Sequence, residues 1–257
     1  MDLKQLNAVA TAMVANGKGI LAADESSPTI KKRFDTIDTE STEESRRRYR
    51  EMLFTTKGAA DYIGGVILYD ETIRQSTREG VPFPKYLNDL GMIAGIKVDM
   101  GAKNLPGAPG EKVTEGLDGL RERLAEYYKL GARFAKWRAV INIGKDIPSD
   151  YCLHVNAHAL ARYAALCQEA QIVPIVEPEV IMDGNHSIER CEEVTAAALK
   201  LVFAELAKQR VALEGIILKP NMVISGTEAA NRASPEEVAK ATLRCLKANV
   251  PAEVPGI

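Results

Sequence analysis

The chain has 257 residues, of which 46% are apolar and 26% charged. That is an ordinary globular composition, long enough to bury a large core, and it excludes widespread disorder. Aromatics at 5% disfavour base-stacking grooves for single-stranded nucleic acid. The 33 basic and 35 acidic residues leave a net charge of −2, so no global positive field attracts nucleic acid or anionic lipid. The length is close to that of a (β/α)8 barrel, about 250 residues.

The first stretch, MDLKQLNAVATAMVANGKG, reads as an amphipathic helix with Leu3, Leu6, Ala10 and Met13 on one face. It lacks the charged start and long apolar run of a signal peptide, and no run in the chain approaches 18 apolar residues, so no membrane span is expected. Short apolar strand patterns then recur at 19–24, 64–70, 92–99, 131–138, 172–179 and 215–221, punctuated by Gly or Pro as buried parallel strands are. Helical patterns fill the gaps. The first, running on through SRRRYREMLF, opens with Ser41 as N-cap and Glu44 at N3. Others cover 117–129, 149–170 and 188–210, and another starts at Ser234-Pro-Glu-Glu237 with Pro at N1. The Gly/Pro-rich segment 101–116 is expected to be a long loop above the third strand. No linker or composition break divides the chain. The alternation therefore predicts one α/β domain over 1–257, a parallel-stranded barrel or doubly wound sheet.

Four cysteines, Cys152, Cys167, Cys191 and Cys245, include no C-x-x-C pair and are expected to be buried, reduced thiols of a cytosolic protein. His154 and His158 are four apart on a helix, but no Glu lies between them and no third ligand is signalled, so surface histidines are expected rather than a metal site. His186, in the loop after the fifth strand, is not expected to be catalytic. The basic run Arg46-Arg47-Arg48 is interleaved with Glu43, Glu44 and Glu51 and is expected to be a solvated helix face. There is no G-x-G-x-x-G after a strand and no Walker motif; the Gly17-Lys18-Gly19 run is too weak to mark a phosphate loop.

The informative feature is how the strands end. Asp24 closes the first, Lys97 and Asp99 the third, Lys136 and Arg138 the fourth, Glu177 and Glu179 the fifth, Lys219 the sixth. Strand side chains alternate with period 2, so Lys136 shares a face with Arg138 and Glu177 with Glu179. In a parallel barrel these ends converge on one mouth, where such folds keep their active sites. Lys219 follows Gly-Ile-Ile-Leu and is expected to sit buried in an apolar strand, at a cost of several kcal/mol unless its charge is handled. Lowering a lysine from about 10.4 to about 7 costs roughly 4–5 kcal/mol and makes a nucleophilic amine. Burial and a neighbouring cation can supply that shift, and Lys136 lies about two strands away.

The motifs GILAADES (19–26), STEESRRRYREMLF (41–54), GIKVD (95–99), FAKWR (134–138), ARYAALCQ (161–168), IVPIVEPE (172–179) and LKPNMV (218–223) together resemble the class I, Schiff-base fructose-1,6-bisphosphate aldolases. The resemblance runs from about Lys4 to the C-terminus. It implies a TIM (β/α)8 barrel, of which six to seven βα units lie within these 257 residues. By this resemblance Lys219 matches the Schiff-base lysine, Glu177 the proton-shuttling carboxyl group and Glu179 its companion in the polar network. Lys136 matches the lysine that tunes the charge beside the Schiff base, and Asp24 the base that takes the C4 hydroxyl proton. Lys97, Arg138, Arg33 and Ser26 match residues that hold the substrate's phosphates. Met100 stands where many relatives carry another lysine.

The resemblance further implies a phosphorylated sugar substrate, no metal or other cofactor and a homotetramer, while thiol usage and the lack of a targeting signal suggest the cytoplasm, and charge and hydropathy no nucleic-acid or membrane partner. A Schiff-base lyase for another phosphorylated sugar and a non-catalytic scaffold with an aldolase-like surface remain as alternatives. The segment Val254-Pro255-Gly256-Ile257 reads as the start of a seventh strand. Family members continue beyond it with a phosphate-binding loop, an eighth strand and a C-terminal tail. The expectation is therefore a truncated or partly represented aldolase, with little or no bisphosphate cleavage by residues 1–257 alone.

Overall fold

The computed structural model describes residues 1–257. In chain order its elements are α1 (Leu3–Met13), β1 (Gly19–Ala23), α2 (Ser27–Asp35), α3 (Glu43–Thr55), α4 (Ala59–Tyr62), β2 (Ile63–Leu68), α5 (Asp70–Ile73), α6 (Phe83–Asp89) and β3 (Ile93–Lys97). There follow β4 (Ala102–Asn104), β5 (Lys112–Thr114), α7 (Leu120–Lys129), β6 (Phe134–Ile141), α8 (Asp150–Glu169), β7 (Val173–Val180), α9 (Ile188–Lys208), β8 (Ile217–Leu218) and α10 (Pro235–Asn249). Six strands form one parallel sheet in the order β1-β2-β3-β6-β7-β8, and helices cover its outer face as βα crossovers require. Beyond β8, the Leu218 N–H donates to the Gly256 carbonyl at 3.2 Å, so the last residues run beside it where a seventh strand was expected. No helix is long and apolar enough to cross a membrane.

The period-2 alternation sorts each strand into two columns. The outer column (Val66, Leu68, Ala94, Ile96, Ala135, Trp137, Val176) packs with α6, α7 and α8 in the largest apolar cluster. The inner column starts apolar. Ile67, Phe134, Val173, Ile175 and Ile217 pack with Leu6, Ala10 and Met13 of α1, which closes the N-terminal ends of the strands. Phe134 fills the middle of this interior, and it fits because β3 carries no side chain opposite: Gly95 pairs in register with Phe134. A Cβ on Gly95 would lie 2.3 Å from the Phe134 ring.

Several expectations are corrected. α3 is capped one residue later than expected, by Thr42. Its Oγ1 accepts from the Ser45 N–H at 3.0 Å and its own N–H donates to Ser45 Oγ at 2.9 Å, a reciprocal box that leaves Ser41 outside the helix. The 101–116 loop contains an antiparallel hairpin, β4 with β5, since its Gly/Pro content sits mainly in the turn at 106–110. The short helices α2, α4, α5 and α6 were not marked, being too brief for a periodic signal. On α3, Arg46 and Arg47 are not solvated: Arg46 grips Glu71 and Arg47 grips Glu44 and Glu51, leaving only Arg48 facing outward. By contrast Ser234 and Glu237 form the expected capping box of α10. All four cysteines are free and buried, and burial with Glu111 nearby pushes the Cys152 thiol up to about 11.

The interior at Gly95 has no slack for a methyl group. Gly95→Ala should cost about 1–3 kcal/mol of unfolding free energy by overpacking, measured by urea denaturation. An unchanged midpoint would show that the Phe134 ring can move aside.

Candidate active site

Above Phe134 the inner columns turn from apolar to ionisable. Lys97 ends β3, Lys136 and Arg138 follow Phe134 on β6, Glu177 and Glu179 follow Ile175 on β7, and Asp24 and Lys219 stand just past β1 and β8. Register brings them level: Lys97 pairs with Lys136, and Arg138 with Glu177. The chain leaves each strand at this height, so polar groups here reach solvent without breaking the apolar layer below.

Lys136 is buried at the centre. Its ammonium lies 3.1 Å from Asp24 Oδ2 and 3.4 Å from Glu177 Oε2, and it donates a hydrogen bond to the former. Burial opposes its charge, but Asp24 foremost, then Glu177 and Asp99, outweigh that and hold the ammonium above the ordinary lysine range. Glu177, only 2% exposed, also accepts from Lys219 Nζ through Oε1. Asp24, Lys136, Glu177 and Lys219 thus alternate in sign across the mouth from β1 to β8. Lys219 itself departs from expectation. β8 is buried only through Leu218, and 48% of the Lys219 side chain is exposed, so its charge is handled by contact with Glu177 and by water rather than by burial.

The remaining predicted site residues form pairs around this core. Lys97 Nζ donates to Asp99 Oδ1 and to the Asp99 carbonyl, both at 2.7 Å. Arg138 donates to Glu179, Arg33 on α2 donates to Glu25, and Ser26 stands as N-cap residue of α2 with Oγ 3.0 Å from Thr29 Oγ1. An open cleft of about 890 Å³ is lined by Asp24, Ser26, Arg33, Lys97, Lys136 and Arg138 among others. Glu177, Glu179 and Lys219 are not on its walls and stand on its β7–β8 side. Met100, exposed, lines it as well.

Other residues build the site without having been assigned a role in it, Asp99 having been marked only as a strand end. Asp99, buried after β3, accepts from Lys97 and from the Gly101 N–H at 3.1 Å; its position in Lys-Val-Asp was the available signal. Arg123 of α7 donates to the carbonyls of Val98 at 2.9 Å and Gly116 at 2.5 Å, clamping the hairpin that overhangs the cleft. Asn221 accepts from the Val180 N–H at 3.1 Å, tying the segment after Lys219 to the end of β7. Arg50 of α3 is wholly buried behind Glu25, and nothing in a run of four arginines within five positions distinguishes it. His154 and His158 are exposed on α8. His186 is buried beside Gly184 and Gly226, and its burial lowers the imidazole below its usual range.

Comparison with known proteins bears on this mouth. The family model described as "Fructose-bisphosphate aldolase class-I" matches residues 5–257. The chain is 65% identical over 257 residues to the "Probable fructose-bisphosphate aldolase class 1" of Xanthomonas campestris pv. campestris, covering all of this chain and 77% of that protein. It is 52% identical over 241 residues to "Fructose-bisphosphate aldolase 4, cytosolic" of Arabidopsis thaliana, covering 94% and 61%. A solved fructose-bisphosphate aldolase from Plasmodium falciparum, in complex with TRAP and a small-molecule inhibitor, superposes with a TM-score of 0.97 at 50% identity, over 99% of this chain and 74% of that one.

Removing the central cation leaves two buried carboxylates facing one another. Lys136→Met should lower unfolding free energy at neutral pH by about 3–5 kcal/mol, read by denaturant titration. The folded-state Lys136 is raised above its ordinary 10.5. Its contribution is therefore complete below that pH and is lost as pH rises through the folded value. The wild-type chain should show this alkaline loss, and Lys136→Met should lack that component.

Proposed function

The chain belongs to the class I fructose-bisphosphate aldolase family, and from that premise we propose that it cleaves fructose 1,6-bisphosphate through a Schiff base on Lys219. The observation that carries this reading is the Glu177 carboxylate shared by Lys219 and Lys136. A Schiff-base lysine needs a group that takes its proton, protonates the departing hydroxyl and returns a proton later, and a buried carboxyl group in contact with it can do all three.

In the forward direction the Lys219 amine adds to the C2 carbonyl, giving a carbinolamine. Glu177 protonates its hydroxyl, water leaves, and an iminium forms. Asp24 takes the C4 hydroxyl proton. The C3–C4 bond then breaks, its electron pair moves into the iminium to give an enamine, and glyceraldehyde 3-phosphate departs. Protonation of the enamine and hydrolysis release dihydroxyacetone phosphate and restore the lysine. Lys97, Arg138, Arg33 and Ser26 bind the phosphates, which need cationic and hydroxyl partners at the ends of the site, and Glu179 sets the reach of Arg138. The reaction is that of a lyase with a phosphorylated sugar as substrate. We place the enzyme in the cytoplasm, as the name of the Arabidopsis relative states for that protein, read 1–257 as one barrel unit, and take the assembled form to be a homotetramer.

Borohydride reduction with dihydroxyacetone phosphate, followed by peptide mass analysis, tests this. The expected result is one adduct on Lys219, absent from Lys219→Met, with trapping slowed about 10²–10⁴-fold in Glu177→Gln. An adduct elsewhere, or equal labelling of the variant, overturns the assignment. Comparing cleavage of the bisphosphate with that of the 1-monophosphate separates this substrate from other phosphorylated sugars.

A further inference from the structure

Beside the mouth lies a second set of charges that the proposed chemistry leaves unused. Arg50, on α3, is 0% exposed. One nitrogen, Nη2, donates to the Glu25 backbone carbonyl at 2.7 Å, while Nε and Nη1 have no hydrogen-bond partner in the protein. Two carboxylates stand just outside bonding reach: Glu25 Oε2 lies 3.9 Å from Nη2, and Glu71 Oε1 lies 3.7 Å from Nη1. The Tyr69 ring, which lines the cleft, stands 5.8 Å from the guanidinium carbon. Burial lowers the Arg50 charge preference, and Glu25 and Glu71 oppose that.

The two carboxylates are not equivalent. Glu71 is already held by two nitrogens of Arg46, Nε and Nη2, at 2.8 and 2.6 Å. Glu25 is committed through one oxygen only: Oε1 accepts from Arg33, while Oε2, buried, has no hydrogen-bond partner. Arg33 is the exposed member, with 59% of its side chain accessible against 7% for Glu25. An anion entering the cleft competes with Glu25 for the Arg33 guanidinium. If Arg33 left, Glu25 would lose its one hydrogen-bonded cation and keep only the longer 3.9 Å contact to Arg50, leaving a poorly satisfied buried anion next to the incoming phosphate. A shift of about 1 Å would bring Glu25 Oε2, which has no hydrogen-bond partner, into hydrogen-bond range of the second N–H of Arg50 Nη2.

We propose that Arg50 is a positioning residue that receives the Glu25 carboxylate when Arg33 transfers to a phosphate group in the cleft. This rests on the reading of Arg33 as a phosphate-binding residue. The handover keeps every charge paired in both states, so an arginine stored on a carboxylate becomes available to substrate without leaving a repulsive anion behind.

The test uses inorganic phosphate as the probe, so it is independent of turnover. In the wild-type chain, guanidinium N–H resonances of both Arg33 and Arg50 should move together as phosphate is added, at one common affinity. A response of Arg33 alone, or of neither, overturns the handover. By titration calorimetry, Arg50→Met should weaken phosphate binding about tenfold in the Glu25 background and less than twofold in the Glu25→Gln background, where no anion is left to receive. Equal weakening in both backgrounds would mark Arg50 as merely structural and overturn the proposal. Arg50→Lys, which keeps a cation but not the fork, should weaken binding less than Arg50→Met. Borohydride trapping on Lys219 reports separately: trapping without the coupled arginine response rejects the handover and leaves the aldolase chemistry standing.

Discussion

A single buried ammonium organises the mouth of this barrel. Lys136 sits above the Phe134 ring, largely buried at the floor of the cleft, and its charge is held by Asp24 of the first strand end and Glu177 of the fifth, which meet on it. Those carboxylates lie on opposite sides of β6 in the sheet, so their common cation ties distant strands at the height where the apolar interior ends. The layer beneath must be tightly filled for this to work. Gly95 gives way to Phe134, and α1 seals the other end, keeping water from reaching Lys136 from below.

From that centre the ion pairs grade outward in exposure. Lys136 with Asp24 and Glu177 is buried, Lys97 with Asp99 is nearly so, Arg33 reaches solvent from a buried Glu25, and Arg138 with Glu179 is exposed on both sides. The physical consequence differs along the series. A buried pair is costly to break because each partner is left unsolvated, whereas an exposed pair is worth about 0–1 kcal/mol and is readily exchanged. The inner charges therefore hold geometry, and the outer pair of Arg138 with Glu179 is the more readily exchanged.

Much of this was legible in the chain itself. The ionisable residues at the ends of five of the six apolar runs marked the mouth, and period-2 spacing paired Lys136 with Arg138 and Glu177 with Glu179. Capping chemistry was readable where Ser234 and Glu237 were spaced for a box, and misread by one residue at Thr42, where neighbouring Ser and Thr compete for the same role. The hairpin within 101–116 was hidden because three-residue strands carry too few positions to show a period.

What the sequence determined by itself was the local alternation: which residues face inward, where each strand gives out, and the order of motifs that marks an aldolase. Only the tertiary structure decided which inward charges meet. Glu177 lies 41 positions from Lys136 and 42 from Lys219 by residue number, and nothing local couples them; the parallel register of β6, β7 and β8 does. Tertiary context also reversed the environment of Lys219, whose apolar approach suggested burial but which lies past the last buried residue of its strand. It buried Arg50 completely within a run of otherwise similar arginines, because helix rotation, not composition, determines which side chain faces the barrel.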